Sequence, residues 1–422
     1  MKPFERVVTK DGMRIILVPQ PGVAATVLVM VEAGSKYETK EINGLSHFLE
    51  HMCFKGTARR PKAIQISSEL DGLGAEYNAF TAQEWTGYFA KVEASKLSKA
   101  LDLIADLYLN PTFDAHELEK EKGVVIEEIN MYEDLPPRRV SELFTQLLYG
   151  DQPAGWDIAG KKEVIQKLTR DDLLKYRGEH YVAQATVVVV AGAFDPAKVK
   201  RDIERHFAHA HVGKKFGKAA TKEHQKKPAA LVKHKESDQT HLVLGVRAFP
   251  VTDKRQYALE VLSDVLGGGM SSRLFEKVRN ELGAAYYVRA GADLMSDHGF
   301  LAVAAGVDHK KLEIVLRAVL EEFKRLRDEP VSAEELERAK DHLSGRLMLG
   351  LETSDELATF YGGQEVLRLP IEIPAEVKKR IRAIKVKDIQ DVARALFVPE
   401  GLNLALIGPF RDTEEFEKLL KL

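Results

Sequence analysis

His47 and His51 stand four residues apart with Glu50 between them, in the run His47-Phe48-Leu49-Glu50-His51. If residues 44 to 55 form a helix, His47, Glu50 and His51 lie at i, i+3 and i+4 and share one face. Two neutral imidazoles on one face are a ligand pair for zinc, which lowers the pKa of a bound water to about 7. A carboxylate beside them is placed to take that water's proton, so peptide hydrolysis is the chemistry this spacing suits. The order is H-x-x-E-H, the inverse of the H-E-x-x-H of many zinc proteases. Glu50 is the expected general base and one zinc per chain the expected cofactor. A helix that merely carries two surface histidines would show the same spacing, so the rest of the chain has to decide.

Such a helix needs an anchor, and Leu45, Phe48, Leu49 and Met52 supply one as an apolar stripe on the face away from the histidines. Cys53, the only cysteine, points away from that polar face and is expected to be a small core residue rather than a ligand. One cysteine excludes an internal disulfide framework and fits a reducing compartment. At 422 residues the chain is too long for one ordinary core, and two domains are expected. Composition is 45% hydrophobic and 30% charged with a net charge of −2, that of a soluble protein with no bias toward nucleic acid. No stretch approaches 18 apolar residues, so no membrane span is expected. The segment from Met1 to Val8 is charged and lacks an apolar core, so no signal peptide is expected and the location is read as cytoplasmic.

Around the histidines the pattern is α+β. Arg14 to Val18 and Thr26 to Val31 read as strands, as do Ala75 to Thr81 and Thr86 to Val92. Ala94 to Tyr108 and Asp114 to Tyr132 have helical periodicity, with Asn110-Pro111 breaking them apart. A Lys- and Gly-rich stretch with little to bury, residues 213–230, is the expected linker between domains at 1–212 and 231–422. The two sides of it repeat each other. Asp172 to Gly192 aligns without a gap with Asp388 to Gly408, and Glu117-Leu118-Glu119 matches Glu335-Leu336-Glu337. The expected architecture is two homologous α/β-sandwich domains from an internal duplication. Only the first copy can hold the metal, because no second H-x-x-E-H occurs and the place of Glu128 falls on Arg346.

Two imidazoles leave zinc under-coordinated, so a third ligand must come from elsewhere. The helix from Asp114 offers Glu121 and Glu128, two turns apart on one side, with Glu127 about 100° round from Glu128. Periodicity alone leaves Glu127 and Glu128 both open.

At this point the chain resembles the pitrilysin-type inverzincin peptidases, the family of insulin-degrading enzyme and the mitochondrial processing peptidase, over nearly its whole length. The family follows H-x-x-E-H with a helix of pattern E-[RK]-x-x-[VI]-x-x-E, which Glu121-Lys122-Gly123-Val124-Val125-Ile126-Glu127-Glu128 matches. The resemblance implies Glu128 as third ligand and Glu121 as an acid supporting the ligands. Gly74 to Thr81 is similar to the family's substrate-binding strand edge, which implies Asn78, Ala79 and Phe80 as contacts to an added peptide strand. Gly267 to Phe275, leading into Val278 to Tyr286, resembles the family's C-terminal signature, which implies that Arg279 and Tyr286 hold the substrate carbonyl as charge develops on it. The triple glycine 267–269 is not a phosphate loop, since no Gly-Lys-Ser/Thr follows. Family members enclose a chamber with four such units, so a chain with two implies a dimer, a homodimer or a heterodimer, with the Arg/Tyr pair facing the partner chain's zinc. The implied activity is zinc-dependent endopeptidase action on unstructured peptides. The competing expectation is a non-catalytic peptide-binding or scaffold subunit, a role that some family members serve.

Overall fold

The structure, a computed structural model, describes residues 3–422. The chain forms two compact units: Met1–Ile129 with Trp156–Ala219 and Met348–Ile373, and Asn130–Gly155 with Ala220–Leu347 and Pro374–Leu422.

The first unit is built on a sheet of six strands: β1 (Glu5–Val8), β2 (Arg14–Pro19), β3 (Ala24–Val31), β4 (Glu76–Thr81), β5 (Thr86–Glu93) and β6 (Thr186–Gly192). Their order is β1-β2-β6-β3-β5-β4, with β2 and β6 parallel and the other neighbours antiparallel. The valine run 187–190 of β6 is buried throughout because both faces of this sheet are covered, so it reads as continuous rather than alternating. Ile15, Leu17, Val27, Val29, Val188 and Val190 share one core with the helices Leu45–Cys53, Leu97–Leu109 and Ala115–Glu133. Ile16, Val18, Leu28, Met30, Val187 and Val189 form the opposite face, beneath Ala358, Tyr361 and Val366 of the helix Ser354–Val366. That helix comes close enough that a Cβ on Gly362 would lie 2.8 Å from the sulfur of Met30.

The second unit repeats the plan with β7 (Ala229–His234), β8 (Thr240–Ala248), β9 (Ala285–Leu294), β10 (Gly299–Val307) and β11 (Leu402–Gly408). The order β7-β11-β8-β10-β9 matches β2-β6-β3-β5-β4 strand for strand, including one parallel pair at the start. One face is packed by the helices Gln256–Gly267, Leu312–Asp328 and Val386–Leu396. The other is covered by Val140, Leu143, Phe144 and Leu148 of the helix Pro136–Tyr149.

The duplication expected from the sequence is therefore a duplication of structure. Helix Arg170–His180 with β6 recurs as helix Val386–Leu396 with β11 at a constant offset. The compact units nevertheless differ from the sequential division into 1–212 and 231–422. Each half sends one helix to the other half's sheet, 136–149 to the second and 354–366 to the first. The stretch 213–230 also differs from a free tether. Lys215 is ion-paired with Glu32 and Lys218 with Glu84. Thr221 and Lys222 donate backbone hydrogen bonds to Asp297 and Gln152, and residues 229–230 already belong to β7. Among the described residues no helix is long and apolar enough to cross a membrane.

Candidate metal centre

The histidine-bearing segment forms the helix Leu45–Cys53. Leu45, Phe48, Leu49 and Met52 are fully buried in the first core, which fixes the rotation of the helix and turns His47, Glu50 and His51 to the opposite side. Cys53 is buried with them, beside the hydroxyl of Tyr88, and takes no part in the centre. Gly44 begins the helix at φ 99°, a left-handed conformation that favours glycine. A Cβ there would also meet the carbonyl oxygen of Ala159 at 2.6 Å.

Helix Ala115–Glu133 supplies the third group. Leu118, Val125 and Ile129 bury one side of it, and this places Glu121 and Glu128 toward the histidines while Glu127 faces solvent. Of the two glutamates left open by periodicity, Glu128 is the one whose carboxylate faces the histidines. One ligand atom from each of His47, His51 and Glu128 lies within 4.8 Å of the others. A Glu128 Oε2 stands 3.6 Å from His47 Nε2 and 3.4 Å from His51 Nε2. Ligand atoms about 2 Å from a common tetrahedral zinc are roughly 3.3 Å apart, so these separations suit such an ion with little movement. The donor set of two imidazole nitrogens and one carboxylate is that of a zinc site with one position open.

The remaining nitrogen of His51 is already engaged. Its Nδ1 lies 2.9 Å from Glu121 Oε1, which orients the ring with Nε2 toward Glu128. The other oxygen of Glu121 pairs with Lys55 at 2.5 Å. These charges are felt in the titration of the group. Burial opposes protonation of His51, but the hydrogen bonds to Glu121 and Glu128 outweigh it and carry the imidazole up to about 9. Glu121 is buried too, yet His51 and Lys55 hold its carboxyl below the usual range. Glu50, 9% exposed, accepts a 2.5 Å hydrogen bond from the hydroxyl of Thr81. Its carboxyl is shifted upward, because burial exceeds the opposing effects of Thr81 and His51.

Thr81 is the last residue of β4, so the same contact ties the acid to the edge strand. β4 is bonded to β5 on one side and ends the sheet on the other. Asn78 is exposed there, its side-chain oxygen accepting from the N–H of Ala79. Phe80 turns its ring onto Gly87, where a Cβ would come within 2.4 Å of the ring. Arg279 and Tyr286 belong to the second unit. Arg279 lies on the π-helical segment Phe275–Glu281, its guanidinium 5.0 Å from the Phe275 ring and 6.0 Å from the Tyr286 ring. Tyr286, on β9, is 73% exposed, so the pair forms a free polar projection rather than part of a core.

Thr81 and Lys55 were not foreseen as partners of the site. Lys55 follows His51 by one helical turn, a spacing that was visible, whereas the reach of Thr81 to Glu50 depends on a strand and a helix meeting in space.

The fold is that of a two-unit protein, and among the described residues its first unit carries one cluster, His47, His51 and Glu128, whose donor atoms could hold a metal ion. Residues 14–162 match the family described as Insulinase (Peptidase family M16), and residues 167–343 the one described as Peptidase M16 inactive domain. The chain is 37% identical over 408 residues to a relative described as "Uncharacterized zinc protease YmxG" from Bacillus subtilis, covering 96% of this chain and 98% of that protein. It is 32% identical to "Uncharacterized zinc protease SCO5738" from Streptomyces coelicolor, covering 97% and 90%. A crystal structure of a protease from Helicobacter pylori superposes with a TM-score of 0.89 at 24% identity, covering 96% of this chain and 99% of that one. The chain belongs to the pitrilysin-type M16 peptidase family.

Proposed function

We propose that this protein is a zinc-dependent endopeptidase that cleaves unstructured peptides. The observation that carries the reading is the convergence of His47, His51 and Glu128, with Glu50 held beside them by Thr81. Zinc bound there would polarise the scissile carbonyl and supply a water acidic enough to attack it. His47, His51 and Glu128 hold the metal, and Glu121 keeps His51 in the required tautomer. Glu50 takes the proton of the attacking water and returns it to the leaving nitrogen. The open edge of β4 at Asn78, Ala79 and Phe80 receives the substrate as an added strand, which binds through main-chain hydrogen bonds and so tolerates many sequences.

Arg279 and Tyr286 complete the proposal as donors to the carbonyl oxygen as it gains charge. They act on the centre of a partner copy, so that the working form is a dimer with composite sites. Mixing Glu50→Gln chains with Tyr286→Phe chains should then restore part of the lost activity, because some mixed dimers hold one intact site. Verified mixed dimers without recovery would remove the trans assignment.

The central test is Glu50→Gln. The variant should bind zinc as the parent does, by metal analysis, while cleavage of a quenched unstructured peptide falls by about 10²–10⁴. Cleavage at the parental rate, with contaminating peptidase excluded, would remove Glu50 as base. Parental protein that holds zinc, binds the peptide and never cleaves it would favour a non-catalytic binding subunit.

A further inference from the structure

The chemistry proposed for the first unit needs two elements in register: the helix 45–53 that carries His47, Glu50 and His51, and the edge strand β4 that would present the peptide. They are far apart in sequence, and one short buried segment, residues 34–38, is bonded to both.

On one side the segment grips the turn that joins β4 to β5. The N–H of Ser35 donates to the Ala82 carbonyl at 3.2 Å and that of Lys36 to the Gln83 carbonyl at 2.8 Å. The ammonium of Lys36 faces Glu84 at 3.6 Å, with both side chains at most 1% exposed. Thr86, the first residue of β5, donates its hydroxyl to the carbonyl of Ala33. The approach is so close that a Cβ on Gly34 would lie 2.2 Å from the Ala82 oxygen.

On the other side the segment caps the metal-site helix. A helix start leaves four backbone N–H groups without intrahelical acceptors. Glu38, buried, accepts two of the N–H groups here, from Ser46 at 2.7 Å on one oxygen and from Gly44 at 2.8 Å on the other. Asn43 Nδ2 adds a third donor at 3.0 Å. Tyr176 closes the arrangement, its hydroxyl lying 2.7 Å from Ser46 Oγ and donating to the Gly34 carbonyl at 3.2 Å.

We infer that Lys36 and Glu38 are positioning residues: Glu38 fixes the metal-site helix, Lys36 fixes the β4–β5 turn, and the segment 34–38 that carries both sets the distance from metal to peptide edge. Neither touches the metal or the peptide. A carboxylate cap is suited to the helix end because it accepts charge-assisted bonds from several donors at once. A buried lysine is suited to the turn because its ammonium cannot leave Glu84, which Lys218 also reaches at 3.2 Å, without weakening the compensation of a buried charge. The inference rests on the zinc-peptidase reading above, and its test separates the two.

Zinc affinity is measured by competition with a chelator, and peptide affinity by anisotropy of a labelled unstructured peptide on zinc-saturated protein in the Glu50→Gln background. Glu38→Gln should weaken zinc about tenfold or more while peptide affinity at saturating zinc moves less than about twofold. Lys36→Met should weaken the peptide about tenfold with zinc affinity within about twofold. Should Glu38→Gln not fold, Asn43→Ala, which removes one donor to Glu38, is read in its place. Should Lys36→Met not fold, Thr86→Val, which removes the hydroxyl bond from β5 to Ala33, is read instead. Variants that lower only the melting temperature, or that weaken zinc and peptide together, overturn the assignment. Parental protein that binds neither zinc nor peptide would instead refute the peptidase reading.

Discussion

Glu121 illustrates how much a residue outside the metal's reach can govern. Its carboxylate bonds to His51 Nδ1 on one oxygen and to Lys55 on the other, so one oxygen holds the imidazole while the other is itself anchored. Glu121→Gln keeps the shape but loses the charge, and its amide can donate to the nitrogen that the carboxylate requires to be a donor. Zinc affinity is expected to fall about 10- to 100-fold, measured by chelator competition, with helical content unchanged. Unchanged affinity would mean that the packing of the helix alone orients His51. At this scale much was legible. The H-x-x-E-H spacing put His47, Glu50 and His51 on one face, and the helical turn from Glu121 put Glu128 on the same side. The choice between Glu127 and Glu128 was not available from periodicity. It turns on which flank of the helix Leu118, Val125 and Ile129 bury, a matter of packing against a sheet. Thr81 and Lys36 were beyond reach for the same reason, since each acts through a contact between elements distant in the chain, whereas the cap by Glu38 is local but needs the fold of the loop 38–44 to be seen.

Elements were read from their periods, and the strands 14–19, 24–31, 76–81 and 86–93 and the helices 45–53, 97–109 and 115–133 lie where alternation and amphipathicity place them. What the period of a helix cannot say is which sheet its apolar side will cover. Helix 354–366 shows what fastens the choice. Its Glu365 pairs with Arg14 of β2 at 3.5 Å, with side chains 4% and 3% exposed, and also with Arg6 at 2.8 Å. The Glu365 carbonyl accepts a second bond from Arg14 at 2.6 Å. Burial depresses the pKa of Arg14, so its charge is held at a cost that Glu365 offsets. Glu365→Gln should therefore destabilise the protein by about 2 kcal/mol, read by urea denaturation, because the buried guanidinium keeps only Glu32, at 3.6 Å, as a counter-charge. Arg6→Ala, at a side chain 46% exposed, should cost less than about 1 kcal/mol. Equal effects would show that the inner pair does not fasten this helix.

For the whole molecule, duplication explains both the economy of the sequence and the error in its simplest partition. The gapless repeat of 172–192 in 388–408 revealed two similar units, but the exchange stayed hidden, because nothing in a helix's own residues says which of two sheets it will cover. The exchange makes each unit depend on chain from both halves. A fragment of residues 1–212 keeps His47, His51 and Glu128 yet lacks helix 354–366, leaving Ile16, Val18, Leu28, Met30, Val187 and Val189 with their cover removed. Such a face is an aggregation surface. The fragment should be poorly soluble or bind a hydrophobic dye, while the same fragment joined to residues 348–373 through a Gly/Ser linker should unfold cooperatively and bind zinc. Fusion restores the apolar cover and the Arg14–Glu365 pair together, so the gain should disappear when Glu365 is replaced by alanine in the fused segment. If residues 1–212 alone fold cooperatively and bind zinc, helix 136–149 can turn back onto the first sheet, and the exchange would be a choice made by the full chain rather than a requirement of the unit.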